Sequence, residues 1–209
     1  MRIGIVGVGP LGSTLAELWA NAGHQLAVGE PEGSDPAATL AERLGPSVQA
    51  TSVEEAARFG DIVVLTGPFG RAEMLPPAPT VAGKIVVDAM NALTETGEAM
   101  DLGARASSAI VAESLPDARI VKAFNTLEAD TLRSEARRST PREKRFVVFL
   151  AGDDSRAKER VSTLIEEIGF TPIDAGSLAL GGRNLEPRSK VFGRPLLPAE
   201  ARRFLQLMA

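Results

Sequence analysis

Residues 2–23 read RIGIVGVGPLGSTLAELWANAG, and this stretch decides the fold. A short apolar strand over Arg2 to Val6 runs into a glycine-rich turn, residues 7–12, that fits the pattern G-x-G-x-x-G. An amphipathic helix follows over Leu11 to Ala22, and Gly23 stops it before a second strand. The pattern alone is weak. With a strand before it and a helix after it, it indicates a dinucleotide-binding βαβ unit.

The glycines of this turn have separate tasks. Gly7 permits the tight turn, Gly9 lets the backbone approach a pyrophosphate, and Gly12 allows the helix to pack closely on the strand. Free N–H groups at the helix start then bind the phosphates, and proline is tolerated at that position. The residues predicted to bind the cofactor here are Gly7, Val8, Gly9, Pro10, Leu11 and Gly12.

Glu30, at the end of the second strand, is the residue expected to discriminate between dinucleotides. A carboxylate there accepts hydrogen bonds from ribose hydroxyls and repels a 2′-phosphate. No Arg or Lys follows until Arg43. The residues therefore favour NAD over NADP. The alternative is that Glu30 points into solvent and Pro31 merely ends the strand.

Strand and helix patterns alternate along the rest of the chain, which indicates an α/β fold with a Rossmann-type, doubly wound, mostly parallel sheet and a small C-terminal extension. Strands are predicted over Arg2–Val6, Gln25–Val28, Ile62–Leu65, Ile85–Asp88, Arg119–Phe124, Phe146–Leu150 and Thr171–Ile173. Helices are predicted over Leu11–Ala22, Pro36–Leu44 (after Asp35), Val53–Phe59, Met100–Glu113, Glu128–Arg138, Ser155–Ile168 and Pro198–Met208. We expect residues 1–126 to form the dinucleotide-binding core. Residues 127–209 are expected to complete the sheet and the acceptor side without forming an independent domain.

Three segments look irregular. Pro76 to Pro79 is predicted to be an extended loop, because successive prolines cannot continue a helix. Arg133 to Arg145 is basic and is interpreted as a solvated helix end and loop, with binding of an anionic ligand as the lesser alternative. Ser177 to Pro198 is rich in Gly and Pro; it is typical of a lid or a partner-binding segment, or of a disordered one.

Composition excludes several classes of function. The 209 residues carry 23 Lys and Arg against 27 Asp and Glu, a net charge of -4, which argues against binding to nucleic acid or an anionic membrane. No apolar run is long enough for a membrane span, and Ile3 to Leu11 is interpreted as a strand and turn rather than a signal peptide. There is no cysteine, so thiolate chemistry and disulfides are excluded, and a cytoplasmic location is expected.

The remaining ionisable candidates favour structural roles. The chain has no Tyr, which excludes the Tyr/Lys acid pairs of short-chain dehydrogenases, and its one histidine, His24, lies at the sheet edge opposite the ligand-binding edge. A helix-capping or surface role is expected for it. Lys122 lies in an apolar strand pattern and is predicted to pair with Asp88, with a catalytic lysine as the alternative. Asp153 and Asp154 are interpreted as turn and helix cap, and no metal site is predicted.

Four segments together resemble the NADPH:coenzyme F-420 oxidoreductase family over most of the chain. They are the fingerprint, Asp88-Ala89-Met90-Asn91, Val121-Lys122-Ala123-Phe124-Asn125-Thr126 and Phe149-Leu150-Ala151-Gly152-Asp153-Asp154. The Lys-Ala-Phe-Asn-Thr segment is also similar to the oxidoreductase domain of the STEAP metalloreductases, which pass electrons from NADPH through flavin to iron or copper.

The resemblance implies a homodimer that transfers a hydride between NADP and a deazaflavin (coenzyme F-420) or flavin acceptor at the carboxyl ends of the strands. The residues implied to line the cofactor cleft are Thr66, Gly67, Pro68, Phe69 and Asn91, and those implied to flank the nicotinamide and acceptor as catalytic residues are Asn91, Phe124, Asn125 and Thr126. Members that use NADPH tend to have Ser-Arg after the second strand, where this chain has Glu30-Pro31. The choice between NADP and NAD stays open. The region of Leu185-Glu186-Pro187 replaces the family's helical closure with a longer loop.

Three functions follow from these patterns. The first is hydride transfer between NAD(P)H and a small redox acceptor, a flavin, deazaflavin or metal chelate, which needs alignment more than an acid or base. The second is a non-catalytic dinucleotide-binding module that senses redox state. The third is a dehydrogenase of a small imine or hydroxy acid, which only Lys122 supports.

Overall fold

The fold rests on eight strands and nine helices in a computed structural model that describes residues 1–31, 36–136 and 139–206. The strands are β1 (Arg2–Val6), β2 (Gln25–Glu30), β3 (Val48–Ser52), β4 (Ile62–Leu65), β5 (Ile85–Asp88), β6 (Arg119–Ala123), β7 (Val147–Gly152) and β8 (Thr171–Asp174). The helices are α1 (Pro10–Asn21), α2 (Pro36–Leu44), α3 (Val53–Phe59), α4 (Ala78–Val81), α5 (Ser107–Ser114), α6 (Ala129–Ser134), α7 (Ser155–Glu167), α8 (Leu180–Arg183) and α9 (Pro198–Gln206).

All eight strands form one sheet in the order β3-β2-β1-β4-β5-β6-β7-β8. Neighbouring strands pair in parallel except β6 and β7, where Lys122 lies opposite Ala151 in an antiparallel register. The predicted Rossmann-type, doubly wound, mostly parallel sheet is confirmed. Because β1 to β6 run in the same direction, the residues that follow them meet at one edge of the sheet.

Helices cover both faces of the sheet, and the central strands are therefore apolar throughout. In β4, Ile62 and Val64 face one core with residues of α1, α2 and α7, whereas Val63 and Leu65 face a second core with residues of α3, α4 and α5. A third cluster, on the β7 and β8 end of the sheet, contains Leu185 and residues of α9.

The sequence patterns missed one strand and placed one helix too early. Strand β3 is an edge strand in which only Val48 is buried, so its side chains carry no alternating apolar signal; pairing with β2 holds it. Helix α5 begins at Ser107 rather than Met100, because Gly103 with φ of 60° and its N–H bond to the Asp101 carboxylate turn the chain first.

Two predicted loops contain ordered structure. Helix α4 begins at Ala78 with proline in its first turn, so the expectation of an extended loop through Pro79 is wrong: proline lacks only a donor that the first turn does not use. Within Ser177 to Pro198 the chain forms α8 and buries Leu185 and Val191 against β7, which contradicts disorder. The segment is ordered because its apolar residues are buried in the third cluster.

Other predicted elements agree closely with the structure or extend beyond the residues it describes. Helix α6 ends at Ser134, earlier than predicted. Arg137, Arg138, Asp35 and the last two residues of the predicted C-terminal helix, Leu207 and Met208, lie outside the described residues. His24 is at the predicted edge. Its backbone N–H donates to the Trp19 carbonyl at 3.1 Å and so caps the end of α1, as one of the two expected roles requires, whereas the expected surface role is wrong because His24 is 5% exposed and bonds Glu167 at 2.9 Å. None of the helices in the described ranges is both long and apolar enough to cross a lipid bilayer.

Candidate functional site

The glycine-rich turn between β1 and α1 lies at the carboxyl edge of the sheet, and no side chain covers its backbone at Gly9. Gly7 has φ of 101°, and a Cβ there would lie 2.7 Å from the Gly67 nitrogen. A Cβ on Gly12 would lie 2.0 Å from the Gly7 carbonyl oxygen, whereas one on Gly9 would meet no atom within 4 Å. Gly7 and Gly12 therefore serve the fold, and Gly9 leaves open space over the N-terminus of α1.

This open space suits a pyrophosphate. The N–H groups in the first turn of a helix have no partner inside the helix and carry the positive end of its dipole. The Ser13 hydroxyl donates to the Val8 carbonyl at 2.9 Å, and the Thr66 hydroxyl lies 2.7 Å from the Gly7 carbonyl, so side chains on both sides hold the turn. These bonds hold the turn in a conformation that leaves the space over the start of α1 open.

Glu30 ends β2 directly beside the turn. Its carboxylate accepts a hydrogen bond from the Val8 N–H, and the side chain is half-buried rather than directed into solvent. Arg43, the next basic residue along the sequence, donates instead to Glu17 at 3.2 Å. The place where a ribose would meet the end of β2 therefore presents a carboxylate.

A cleft of about 1110 Å³ opens along the carboxyl edge from β2 to β5. Its lining includes most of the predicted cofactor residues: Gly7, Gly9, Pro10, Leu11, Glu30, Thr66, Gly67, Pro68, Phe69 and Asn91. Two predicted residues are not part of this lining. Val8 borders a neighbouring cavity beside α2, and Gly12 is buried beneath the turn.

Asn91 and Asn125 form a reciprocal pair at the ends of β5 and β6. Asn91 Nδ2 donates to the Asn125 backbone carbonyl at 3.1 Å, and Asn125 Nδ2 donates to Asn91 Oδ1 at 3.0 Å. Asn125 Nδ2 also donates to the Leu185 carbonyl at 2.8 Å. Asn125 is 2% exposed, and its Oδ1 is a buried acceptor with no partner among the described residues. An unused acceptor fits a ligand that donates an N–H, such as a carboxamide.

A second cavity, of about 220 Å³, adjoins the cleft at this pair. Gly9, Thr66 and Asn91 line both spaces, and Asn125 and Thr126 line the second. Glu128, which is exposed, is the ionisable residue of its lining. Asn91, Asn125 and Thr126, which the resemblance implies at the nicotinamide and acceptor, thus lie together around this cavity.

Phe192 also lines this second cavity, and sequence reasoning missed it. It belongs to the segment that was predicted as a loop, and the Gly193 N–H bond to the Thr126 carbonyl at 2.8 Å fixes the chain beside it. An aromatic residue isolated in a Gly- and Pro-rich stretch is the one signal that could have pointed to it.

Phe124 does not flank either cavity, so the predicted role at the nicotinamide is wrong. It is 0% exposed and makes an edge-to-face contact with Trp19 at 5.5 Å between ring centroids. Its φ of 66° turns the chain sharply after β6. That turn directs Phe124 into the core.

Lys122 and Asp88 form the predicted ion pair, Nζ to Oδ2 at 3.2 Å, with both side chains 0% exposed. Lys122 Nζ also donates to the Met90 carbonyl at 2.6 Å and to Ser107 Oγ at 3.0 Å. Three acceptors use its three donors, and a buried ammonium needs them all. The pair fixes the chain just before Asn91.

Residues 2–92 match the sequence model of the family described as "NADP oxidoreductase coenzyme F420-dependent". Among curated proteins, the chain is 33% identical to the metalloreductase STEAP3 of Rattus norvegicus over 181 residues, which are 85% of this chain. The aligned region is 34% of that relative, so the chain spans about a third of its length.

Two solved structures are similar over most of their length. The hypothetical protein SMa0349 of Sinorhizobium meliloti is 34% identical with a TM-score of 0.80, covering 94% of this chain and 95% of that one. A protein of Arthrobacter sp. FB24, provisionally described as an F420-dependent NADP-reductase, is 24% identical with a TM-score of 0.73, covering 85% and 86%. The glycine-rich turn and most of the cleft lie within residues 2–92, so the part of the chain that forms the candidate site is the part that resembles the F420-dependent NADP oxidoreductase family.

Proposed function

We propose that this protein transfers a hydride between a nicotinamide dinucleotide and a flavin-like or deazaflavin acceptor, for which coenzyme F-420 is the family's example. The observation that carries the proposal is the junction of two spaces at Asn91. A long cleft suited to a dinucleotide meets a second cavity there, and Asn91 lines both. Hydride transfer needs two rings held in contact, and adjoining cavities provide for this.

The chemistry of the lining supports the same reaction class. The bound dinucleotide would supply the hydride, being oxidised as the acceptor ring is reduced. The chain's part is alignment: Gly9 and the start of α1 hold the phosphates, and the buried amides of Asn91 and Asn125 set the position of the ring at the end of the cleft. Phe192 offers an aromatic surface for a flat acceptor.

Lys122 does not support a dehydrogenase of imines or hydroxy acids. Such a reaction needs a group that delivers a proton to the substrate. Lys122 is 0% exposed and binds Asp88, Met90 and Ser107, so it has no access to the cleft. Hydride transfer between two rings needs alignment rather than a proton-donating lysine, so the burial of Lys122 favours that reaction.

Steady-state oxidation of NADH and NADPH under anaerobic conditions tests the proposal. Coenzyme F-420, FMN and a ferric chelate serve as separate acceptors, and the absorbance of the reduced nicotinamide is followed. We expect turnover with at least one of the ring acceptors. No turnover with any of the three acceptors would overturn the proposed reaction.

Asn125→Ala separates an enzyme from a redox-sensing module. In an enzyme it lowers kcat because the ring at the end of the cleft loses its position, while dinucleotide binding through Gly9 persists. Asn21→Ala, on α1 at the opposite edge of the sheet, is the matched control. Tight NAD(P)H binding with no reductase activity in the unaltered protein would identify a non-catalytic module.

A further inference from the structure

A third cavity, of about 270 Å³, lies beside the site and differs from it in charge. Arg105, Arg183 and Arg188 line it, and we call it the arginine cavity. Arg105 is paired with Glu113 at 2.5 Å. Arg183 and Arg188 have no carboxylate partner within the ranges that the structure describes. Two guanidinium groups are therefore available to a ligand.

The carboxylates of the arginine cavity are already engaged. Glu186 Oε1 accepts from the Ser107 N–H at 2.7 Å and from Ser107 Oγ at 2.6 Å. Asp101 Oδ1 accepts from the Gly103 N–H at 2.9 Å. Both acids therefore have hydrogen-bond donors of their own, and the two arginines without a carboxylate are the charged groups of this cavity that lack partners among the described residues.

Two further features of this cavity point to a ligand. Ser189 lines it, and the Oγ of this residue is a buried oxygen with no hydrogen-bond partner among the described residues. Arg188, the preceding residue, has φ of 72°. Residues other than glycine rarely adopt this backbone conformation, and those that do are often found at functional sites. A hydroxyl donor beside two guanidinium groups suits a phosphoryl oxygen.

The arginine cavity meets the dinucleotide cleft near Asn91 and is linked to the second cavity through one stretch of chain. Ala92, which follows Asn91, lines the arginine cavity, and Met100 lines both it and the dinucleotide cleft. The same stretch of chain supplies Ser189 to the arginine cavity and Phe192 to the second cavity, with the Phe192 N–H bonding the Ser189 carbonyl at 3.3 Å. A ring beside Phe192 can thus have a side chain that reaches the arginines.

We propose that the arginine cavity binds the phosphoryl group on the side chain of the ring acceptor. The inference rests on the proposed function, since it takes the acceptor to be a flavin or deazaflavin. A phosphate monoester, as in FMN, and a phosphodiester, as in coenzyme F-420, share this chemistry. The ring without its phosphate would bind more weakly.

Binding of FMN and riboflavin, which differ by the phosphate, tests the proposal. Flavin fluorescence anisotropy is measured at saturating NAD(P)⁺, together with a second pair, coenzyme F-420 and the phosphate-free deazaflavin that carries only the ribityl side chain. We expect the phosphorylated member of at least one pair to bind about tenfold more tightly or better, the value of a charge-assisted hydrogen bond. Raising the salt concentration should reduce that preference.

Arg188→Gly is the decisive variant because glycine tolerates the positive φ. It removes the guanidinium and relieves the backbone, so the protein should fold with no loss of thermal stability while its preference for the phosphorylated ring falls about tenfold. Arg183→Ala should act in the same direction. Arg160→Ala, which removes an exposed charge from α7 on the opposite face of the sheet, is the control and should change nothing.

The outcomes separate this inference from the proposed function. Equal affinity for both members of both pairs, or a preference that survives in Arg183→Ala/Arg188→Gly, overturns the arginine cavity as a phosphoryl site whether or not the ring is reduced. Preferential binding of FMN or coenzyme F-420 without reduction supports the arginine cavity and overturns the hydride transfer.

Discussion

At the scale of the residue, Gly9 and Gly12 look equivalent in the motif but differ in what surrounds them. A Cβ on Gly9 meets no atom within 4 Å, and one on Gly12 would lie 2.0 Å from the Gly7 carbonyl oxygen. We expect Gly9→Ala to keep its stability and to weaken NAD(P)H binding about tenfold or more, since it fills space meant for a phosphate. Isothermal titration measures the affinity and a thermal melt the stability.

Gly12→Ala is the matched comparison. Its clash is with backbone, which cannot move aside, so we expect a loss of about 2–4 kcal/mol in the free energy of unfolding. Equal stability of the two alanine variants in urea would contradict the division of tasks between these glycines.

Glu30 is the residue that we expect to discriminate between dinucleotides. Its carboxylate lies on the Val8 N–H, where a 2′-phosphate would approach a like charge. The family's description names NADP, yet we expect the unaltered protein to bind NADH more tightly than NADPH. Glu30→Gln should raise the affinity for NADPH relative to NADH about tenfold, because the repulsion is partly screened by solvent. Parallel titrations with both dinucleotides measure the ratio, and a strong NADPH preference before substitution would refute this role.

At the scale of the element, β5 and β6 are joined by a buried ion pair beneath the site. Lys122→Met leaves the Asp88 carboxylate buried without its cation, and we expect a loss of about 3–5 kcal/mol in unfolding free energy. Adding Asp88→Asn removes that charge and should recover part of the loss. Urea unfolding of the two variants checks this order, and a single variant that loses less than about 1 kcal/mol would contradict it.

The elements also show where sequence patterns work. Strands β4 and β5 are buried on both faces, so each is a continuous apolar run that is easy to predict. Helix α7 is equally easy to predict, because Asp154 caps its start and its apolar residues follow at helical spacing. Strand β3 exists because its backbone pairs with β2 at the edge of the sheet. Backbone pairing leaves no mark in side-chain periodicity, and the patterns missed this strand for that reason.

At the scale of the whole molecule, one core crosses the boundary between residues 1–126 and 127–209. Trp19 of α1 and Leu164 of α7 belong to the same buried cluster, and Trp19 Nε1 donates to the Leu164 carbonyl at 3.3 Å. Because the two parts share this core, we expect unfolding in a single transition. Trp19 fluorescence and far-UV circular dichroism should coincide in urea. Separate midpoints would show that the first part folds by itself.

Leu164→Ala tests the same contact from the other side. Leu164 is 0% exposed, and its truncation should cost about 2–5 kcal/mol by leaving a cavity. Both optical signals should shift together to lower urea. A shift confined to circular dichroism would contradict a shared core, since Trp19 lies in the first part.

The sequence by itself determined the nucleotide-binding turn, because G-x-G-x-x-G between a strand and a helix has local geometric requirements that few other residues meet. It also brought Asn91 and Asn125 together, since parallel strands end at one edge. Only the tertiary structure decided that Phe124 faces the core and that Phe192, Arg183 and Arg188 border the site. The position of Phe124 depends on its positive φ, and the positions of the other three residues depend on how their segment packs against β7. Neither feature produces a periodic pattern of apolar residues in the sequence.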